Sequence, residues 1–134
     1  MKKILTLLLA AVTVTALASD FPKGSPKFKS TAGTALSAAK KEGKPVIVVF
    51  SASSCPPCQA MEKSGLLESF VQRYPEVKLQ KVDVDAYPKK ADTFAIRAIP
   101  TLVILDSRGE ELSRGNPMTP GGVERLFTAA RKKG

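Results

Sequence analysis

The only two cysteines of the chain stand in one short motif, Cys55-Pro56-Pro57-Cys58, directly after a hydrophobic run at residues 45–50. The run of Val, Ile and Phe predicts a buried strand, and the residues after the motif have helical character. Two thiols separated by two residues can close and reopen a disulfide ring, and the N-terminus of a helix favours the thiolate over the thiol. This arrangement predicts a redox-active dithiol.

Other roles for the cysteine pair fit the sequence less well. A structural zinc ion needs four N or S ligands, and the chain has no His and no further Cys, so no metal site is predicted. Cu(I) accepts fewer and softer ligands, and Met61 is the one supporting residue nearby, so copper carriage stays a secondary alternative. A purely structural disulfide would close a very small loop, where cross-linking stabilises least.

The two prolines of the motif also bear on its chemistry. Pro56 and Pro57 have no backbone N–H, so they remove two donors from the first helical turn that would otherwise stabilise a Cys55 thiolate. We therefore expect them to tune the redox potential, and they argue against a strongly depressed thiol pKa.

The N-terminus has the pattern of a secretory signal. Lys2 and Lys3 precede an apolar run, and Ala16-Leu17-Ala18 fits the A-x-A rule of signal peptidase. The stretch is shorter than the about 20 residues that span a bilayer, which disfavours an uncleaved anchor. The chain is thus predicted to comprise a cleaved signal peptide at 1–18, a flexible basic leader at 19–30 and one folded domain at 31–134. Such an exported protein is expected in the bacterial periplasm.

The charge of the chain and its predicted export limit the classes of binding partner that we expect. The net charge is +9 over 134 residues, but with no Trp and no nucleic-acid motif the sequence does not predict DNA or RNA binding. Thiols outside the cytosol are oxidised unless a dedicated system reduces them, so an exposed dithiol predicts a membrane or soluble redox partner. We expect a monomer without a cofactor.

Hydrophobic periodicity and capping residues predict the remaining elements. A first helix, capped by Thr31 or Thr34, ends at Gly43, and a last helix is opened by Thr119 and Pro120. Between them, the predicted helices lie at 59–74, with a kink at Ser64-Gly65, and at 89–94. The predicted strands lie at 45–50, 77–84, 101–105 and 110–114, the last two forming a hairpin.

This order of elements resembles the thioredoxin fold, an α/β fold with a central mixed four-stranded sheet flanked by helices. Three segments carry the resemblance: residues 46–58 with the dithiol, residues 82–88, and residues 94–105 with Ile99-Pro100-Thr101. The helix that runs into Gly43-Lys44-Pro45 is more similar to exported thioredoxin-like proteins, and to the C-terminal domain of the bacterial transmembrane disulfide reductase, than to cytosolic thioredoxin.

The resemblance implies an enzyme, a thiol-disulfide oxidoreductase that acts on protein disulfides. Cys55 would be the exposed nucleophile and Cys58 the partly buried resolving thiol. Pro100 would follow a cis peptide bond that leaves the backbone of Ile99 to pair with substrate, whereas the residues alone also allow a trans proline at the start of a strand. Reduction of disulfides is favoured; the alternatives are an oxidant or isomerase, or a non-catalytic module that carries Cu(I) or senses redox state.

The sequence departs from thioredoxin beside the dithiol. Ser54 stands where thioredoxin has Trp, and Val49 stands where it has a buried acid. Without that carboxylate, proton exchange with Cys58 needs water or another group, for which Glu62 and Lys63 are the candidates. These departures bear on rate and potential rather than on the dithiol chemistry itself.

Overall fold

The structure, a computed structural model, describes residues 35–134. The predicted signal peptide, the basic leader and the helix caps Thr31 and Thr34 lie outside the described residues. Within residues 35–134, no helix is long and apolar enough to cross a membrane.

A mixed four-stranded sheet forms the centre of the described domain, in the order β2-β1-β3-β4. The strands are β1 (Val46–Ser51), β2 (Lys78–Asp83), β3 (Thr101–Leu105) and β4 (Glu111–Gly115). Strand β1 pairs in parallel with β2 and antiparallel with β3, which pairs antiparallel with β4. Every residue of β1 is buried, as expected for a central strand that is covered on both faces. The predicted α/β fold class is confirmed.

Five helices of the described residues cover the two faces of this sheet: α1 (Ala35–Glu42), α2 (Pro56–Lys63), α3 (Leu66–Arg73), α4 (Pro88–Thr93) and α5 (Pro120–Arg131). Apolar residues of α2, α3 and α5 form one core layer with Ile47, Val49 and Ile104 of the sheet. The opposite layer joins α1 to Val48 and Phe50. The dithiol follows β1, so it lies at the end of the most buried strand.

The helix predicted at residues 59–74 differs from the structure in two ways. It begins earlier, at Pro56, because proline has the backbone φ of a first helical residue and needs no N–H there. It is also two helices rather than one kinked helix, because Gly65 adopts a left-handed φ of 65° between α2 and α3.

Helix α5 begins where the capping pattern predicts. The Thr119 hydroxyl oxygen accepts a hydrogen bond from the Gly122 N–H at 3.2 Å, and Pro120 occupies the first turn. An aromatic cluster joins α3 to α5. Its three rings have centroids 4.7 to 5.3 Å apart and belong to Phe70, Tyr74 and, on α5, Phe127. This aromatic cluster fixes α3 on α5, and α3 follows the helix that carries the dithiol.

Candidate active site

Cys55 and Cys58 form a disulfide at the N-terminus of α2. Cys55 is the N-cap residue and the two prolines fill the next two positions, so the Cys58 amide is the first backbone N–H of the helix. That N–H donates to the Cys55 sulfur, at 3.3 Å from nitrogen to sulfur. In the first turn, therefore, a single backbone N–H donates to the Cys55 sulfur.

Cys55 is less accessible than predicted. In the disulfide form, only 9% of the surface of Cys55 is exposed, against 4% for Cys58. The expectation of an exposed nucleophile is therefore wrong for this form. The reason is that Val84 and Ile99, which flank other strands, pack with Ala52 against the cysteine pair. Cys55 remains the more exposed of the two sulfur-bearing residues.

The loop before β3 lies against the dithiol. The Ile99–Pro100 peptide bond is cis, as predicted, and Pro100 is buried. The carbonyl oxygen of Ile99 lies 3.9 Å from the Cys55 sulfur. Residues 98–100 precede the first residue of β3 and take no part in its pairing with neighbouring strands. The backbone of Ile99 therefore faces the Cys55 sulfur from outside the sheet.

A small recess lies on the other side, next to Cys58. It has a volume of about 20 Å3, which is room for about one water molecule. Its lining comprises Val49, Ser51, Cys58, Met61, Glu62, Leu67, Glu68, Lys81 and Pro100. Of the two candidates for proton exchange with Cys58, Glu62 lines the recess, whereas Lys63 is not part of its wall.

Lys81 brings a positive charge to this recess. Its ammonium lies 2.8 Å from a carboxylate oxygen of Glu68 and 3.2 Å from one of Glu62. Burial lowers the pKa of Lys81, but the hydrogen bonds to Glu68 and Glu62 outweigh burial and leave this pKa above its ordinary value. Burial likewise raises the pKa of Glu68, and the hydrogen bond from Lys81 more than compensates, so that pKa is lowered. The wall of the recess therefore brings one lysine together with two glutamates that are hydrogen-bonded to it.

Four residues near the dithiol are not predicted as site residues from the sequence: Glu68, Lys81, Thr101 and Asn116. A signal for Lys81 was present, because it follows Val77 and Leu79 at the alternating spacing of one strand face. In the structure it pairs with Val49 across β1 and β2. A lysine at a core-facing strand position is unusual unless its charge is paired.

The structure also bears on the metal alternatives. Within residues 35–134 there is no group of three or more His, Cys, Asp or Glu that could hold a metal ion. Met61 is 4% exposed and lines the same recess as Cys58, so the thioether considered for Cu(I) lies on the side of that cysteine.

The sequence is similar to proteins of one known family. A profile of the family described as Thioredoxin matches residues 28–119. Thioredoxin H2 of Arabidopsis thaliana is 36% identical over 75 residues, which are 56% of this chain and 54% of that protein. The thioredoxin of Chlamydia muridarum is 36% identical over 69 residues, or 52% of this chain and 65% of the relative. The chain thus spans about half to two thirds of these curated relatives.

Solved structures agree over more of the domain. The X-ray structure of Fasciola hepatica thioredoxin superposes with a TM-score of 0.60 at 27% identity, covering 69% of this chain and 86% of that one. The crystal structure of a poplar thioredoxin h gives a TM-score of 0.62 at 28% identity, with 70% and 82% coverage.

Proposed function

The chain belongs to the thioredoxin family, and from that premise we propose that it is a protein thiol-disulfide oxidoreductase whose reactive dithiol is Cys55 and Cys58. The observation that carries the proposal is the Cys55–Cys58 disulfide at the N-terminus of α2, faced by the backbone of Ile99 before the cis Pro100. Its partners would be proteins that contain disulfides, and Ile99 and Pro100 would form the binding surface.

The proposed reaction transfers two electrons from the dithiol to the substrate. The Cys55 thiolate attacks one sulfur of a substrate disulfide, a mixed disulfide forms, and the released substrate thiolate takes up a proton. Cys58 then loses its proton and attacks the Cys55 sulfur, which releases the second substrate thiol and leaves the Cys55–Cys58 disulfide. A redox partner must return two electrons and two protons to complete the cycle. Lys81, Glu62 and Glu68 line the recess that Cys58 also lines, so we expect this charged group to take part in proton exchange at Cys58.

The first turn of α2 supports reduction as the direction of the reaction. A thiolate that is stabilised strongly makes the reduced protein stable and the dithiol oxidising. Here Pro56 and Pro57 leave the Cys58 N–H as the one N–H of the first turn that donates to the Cys55 sulfur, so a thiolate there gains less from the helix. Equilibration of the purified protein with reduced and oxidised glutathione measures the potential. A value well above that of glutathione would replace the reductase by the alternative, an oxidant or isomerase.

Trapping tests the proposed roles of the two cysteines. Cys58→Ser should accumulate a mixed disulfide through Cys55 when mixed with insulin, because the resolving sulfur is missing, and Cys55→Ser should accumulate none. The adduct is measured by mass spectrometry under non-reducing conditions, with the double variant as the blank. Equal adducts on both single variants would contradict the division of labour between the two cysteines. If neither protein nor variants react with disulfides, the proposed activity itself is wrong.

We further propose that the protein acts after export, in the bacterial periplasm, with a membrane or soluble reductant as electron donor. The support is the signal-like pattern of residues 1–18 and the likeness of the first helix to exported thioredoxin-like proteins. Expression in a bacterium and intact-mass measurement of the secreted form should give a chain that begins at Ser19. Recovery of only the uncleaved chain from the cytosol would rule this out.

Copper carriage is the second candidate, because Met61 and Cys58 line one recess. Two thiolates and a thioether suit a soft ion such as Cu(I). Titration of reduced protein with Cu(I) in the presence of a competing chelator decides the matter. If Met61→Leu weakens binding at least as clearly as Cys58→Ser, the recess is a copper site; if Cu(I) does not compete with the chelator, the candidate fails.

A further inference from the structure

The loop that faces Cys55 is held by side chains rather than by strand pairing. Thr101, the first residue of β3, donates its hydroxyl hydrogen to the carbonyl oxygen of Ala98 at 2.6 Å. Asn116, directly after β4, donates from its side-chain amide to the Thr101 hydroxyl oxygen at 2.9 Å and to the carbonyl oxygen of Pro100. The carbonyls on both sides of Ile99 are therefore tied, one directly and one through Thr101, to Asn116.

The donors of Asn116 are fully used by this arrangement. A carboxamide nitrogen carries two hydrogens, and here one reaches Thr101 and the other reaches Pro100. A hydroxyl carries one hydrogen, and Thr101 donates it to the carbonyl oxygen of Ala98. Thr101 thus acts as acceptor and donor in one chain of hydrogen bonds, which fixes which way each group points. Of the residues joined by these hydrogen bonds, Asn116 is the one that lies outside the loop and β3.

We infer that Asn116 is a positioning residue for protein substrates, which holds the Ile99 backbone at the right place beside Cys55. The inference rests on the proposed function and deepens it. An extended substrate segment that adds to this loop uses backbone hydrogen bonds, and their geometry depends on how rigidly the carbonyl of Ile99 is kept 3.9 Å from the Cys55 sulfur. A small disulfide without a peptide backbone has no such requirement. Asn116 therefore serves docking rather than the sulfur chemistry.

Strand β4, which ends directly before Asn116, offers a matched control. The Ser113 hydroxyl, on β4, donates to the carbonyl oxygen of Leu126 at 3.0 Å and so ties the strand to α5 instead of to the loop. Ser113→Ala removes one side-chain to backbone hydrogen bond of a similar kind, away from Cys55. Any effect that arises only from a weaker attachment of β4 should appear in this variant as well.

The experiment compares two disulfides on the pre-reduced full-length protein. Insulin reports on docking of a polypeptide, and Ellman's reagent, a small aromatic disulfide, reports on the intrinsic reactivity of Cys55. Asn116→Ala should lower kcat/KM for insulin by about tenfold while the rate with Ellman's reagent stays within about twofold. Asn116→Asp, which keeps the size of the side chain but loses its N–H donors, should behave in the same way. Ser113→Ala should leave both rates near those of the parent protein.

Other results would contradict either the role of Asn116 or the proposed function. Equal losses with both disulfides overturn the inference, because they place the effect on Cys55 itself or on the fold. An unchanged insulin rate for Asn116→Ala or Asn116→Asp overturns it too, while leaving the proposed function intact. A parent protein that does not reduce insulin would instead defeat the proposed function. If Asn116→Ala does not fold, Thr101→Val breaks the same chain with little change in volume; should that variant and Asn116→Asp also fail to fold, the role of Asn116 is structural and the inference is wrong.

Discussion

At the scale of single residues, different groups act on the two sulfur atoms. The Cys58 N–H donates to the Cys55 sulfur, whereas Cys58 itself lines a recess whose wall also includes Lys81. In the proposed reaction, the first interaction would bear on attack by Cys55 and the second on release of substrate by Cys58. The two proposed steps should therefore respond to different substitutions.

Changing Pro57 to Ala should make the dithiol more oxidising. A helix-capping side chain accepts hydrogen bonds from the second or third helical N–H, and Pro57 fills the second position. The restored donor should lower the pKa of the Cys55 thiol by about one pH unit, since hydrogen bonds to charged groups are strong. Thiolate absorbance against pH and the equilibrium with glutathione measure both effects.

Pro56→Ala is the control for that variant. It removes a proline at the first helical position, and so loosens the unfolded chain equally, but its restored N–H is not one that a cap accepts. A shift in the Cys55 pKa as large as that of Pro57→Ala would show that proline rigidity, not the missing donor, sets the potential.

Lys81→Met should slow the second step of the reaction. Loss of this cation should raise the pKa of the Cys58 thiol, because Glu62 and Glu68 then line the recess without the lysine that pairs with them. Release of substrate from the mixed disulfide should slow at neutral pH, while attack by Cys55 should keep its rate. Stopped-flow kinetics with a fluorescent peptide disulfide separate the two steps. Lys78→Met, on the same strand but paired with Glu42 at 3.1 Å, should change neither; an equal effect would assign the result to net charge.

At the scale of elements, Gly65 separates the helix of the dithiol from the helix that anchors it. Its φ of 65° is costly for any residue with a side chain, although a Cβ there would have no neighbour within 4 Å. Gly65→Ala should therefore reduce the free energy of unfolding by about 1 kcal/mol, through backbone strain alone. Urea denaturation measures this change.

Gly121→Ala gives the opposite expectation and tests the same reasoning. Gly121 lies in α5 without a positive φ, and the nearest atom to an added Cβ is the Arg125 guanidinium nitrogen at 3.5 Å, an ordinary contact. Alanine favours the helix and restricts the unfolded chain, so this variant should be more stable by about 0.5 kcal/mol. The same sign for both variants would show that φ does not decide the cost.

The elements that depend on neighbouring residues could be predicted from the sequence. Strand β3 occupies the predicted residues 101–105, and the Thr119 cap begins α5, because a short apolar run and a helix cap are both features of neighbouring residues. The recess at Cys58 could not be predicted in this way, since it depends on the register that sets Val49 beside Lys81. The burial of Cys55 likewise depends on Ile99, which is 44 residues away in the chain.

At the scale of the whole molecule, acid should weaken the fold through carboxylates that accept hydrogen bonds. Asp106 accepts from the backbone N–H groups of Arg108 and Glu110 at 2.8 and 2.9 Å. Burial raises the pKa of Asp106, but these bonds and the Arg108 side chain outweigh burial and leave its pKa below the ordinary value of 3.8. A carboxylate with a lowered pKa in the folded state stabilises above its ordinary pKa, and this contribution is lost as the pH falls through the lowered value.

The free energy of unfolding should accordingly fall below about pH 4, and it should fall less steeply in Asp106→Asn. Chemical denaturation at a series of pH values gives the slope for each protein. Asp92→Asn, which changes an exposed carboxylate of α4, serves as the comparison. If it flattens the acid dependence as much as Asp106→Asn does, hydrogen bonding at the β3–β4 turn is not the cause.

The closeness of Cys55 and Cys58, three positions apart in sequence, has a thermodynamic consequence. Folding and oxidation form a closed cycle, so the difference in unfolding free energy between the oxidised and the reduced protein equals the difference in oxidation free energy between the folded and the unfolded chain. A reduced form more stable by about 1.4 kcal/mol would correspond to a folded dithiol about 30 mV more oxidising than the same four residues in a random coil. Parallel denaturation of the two forms thus isolates what the fold contributes to the potential from what the motif has by itself.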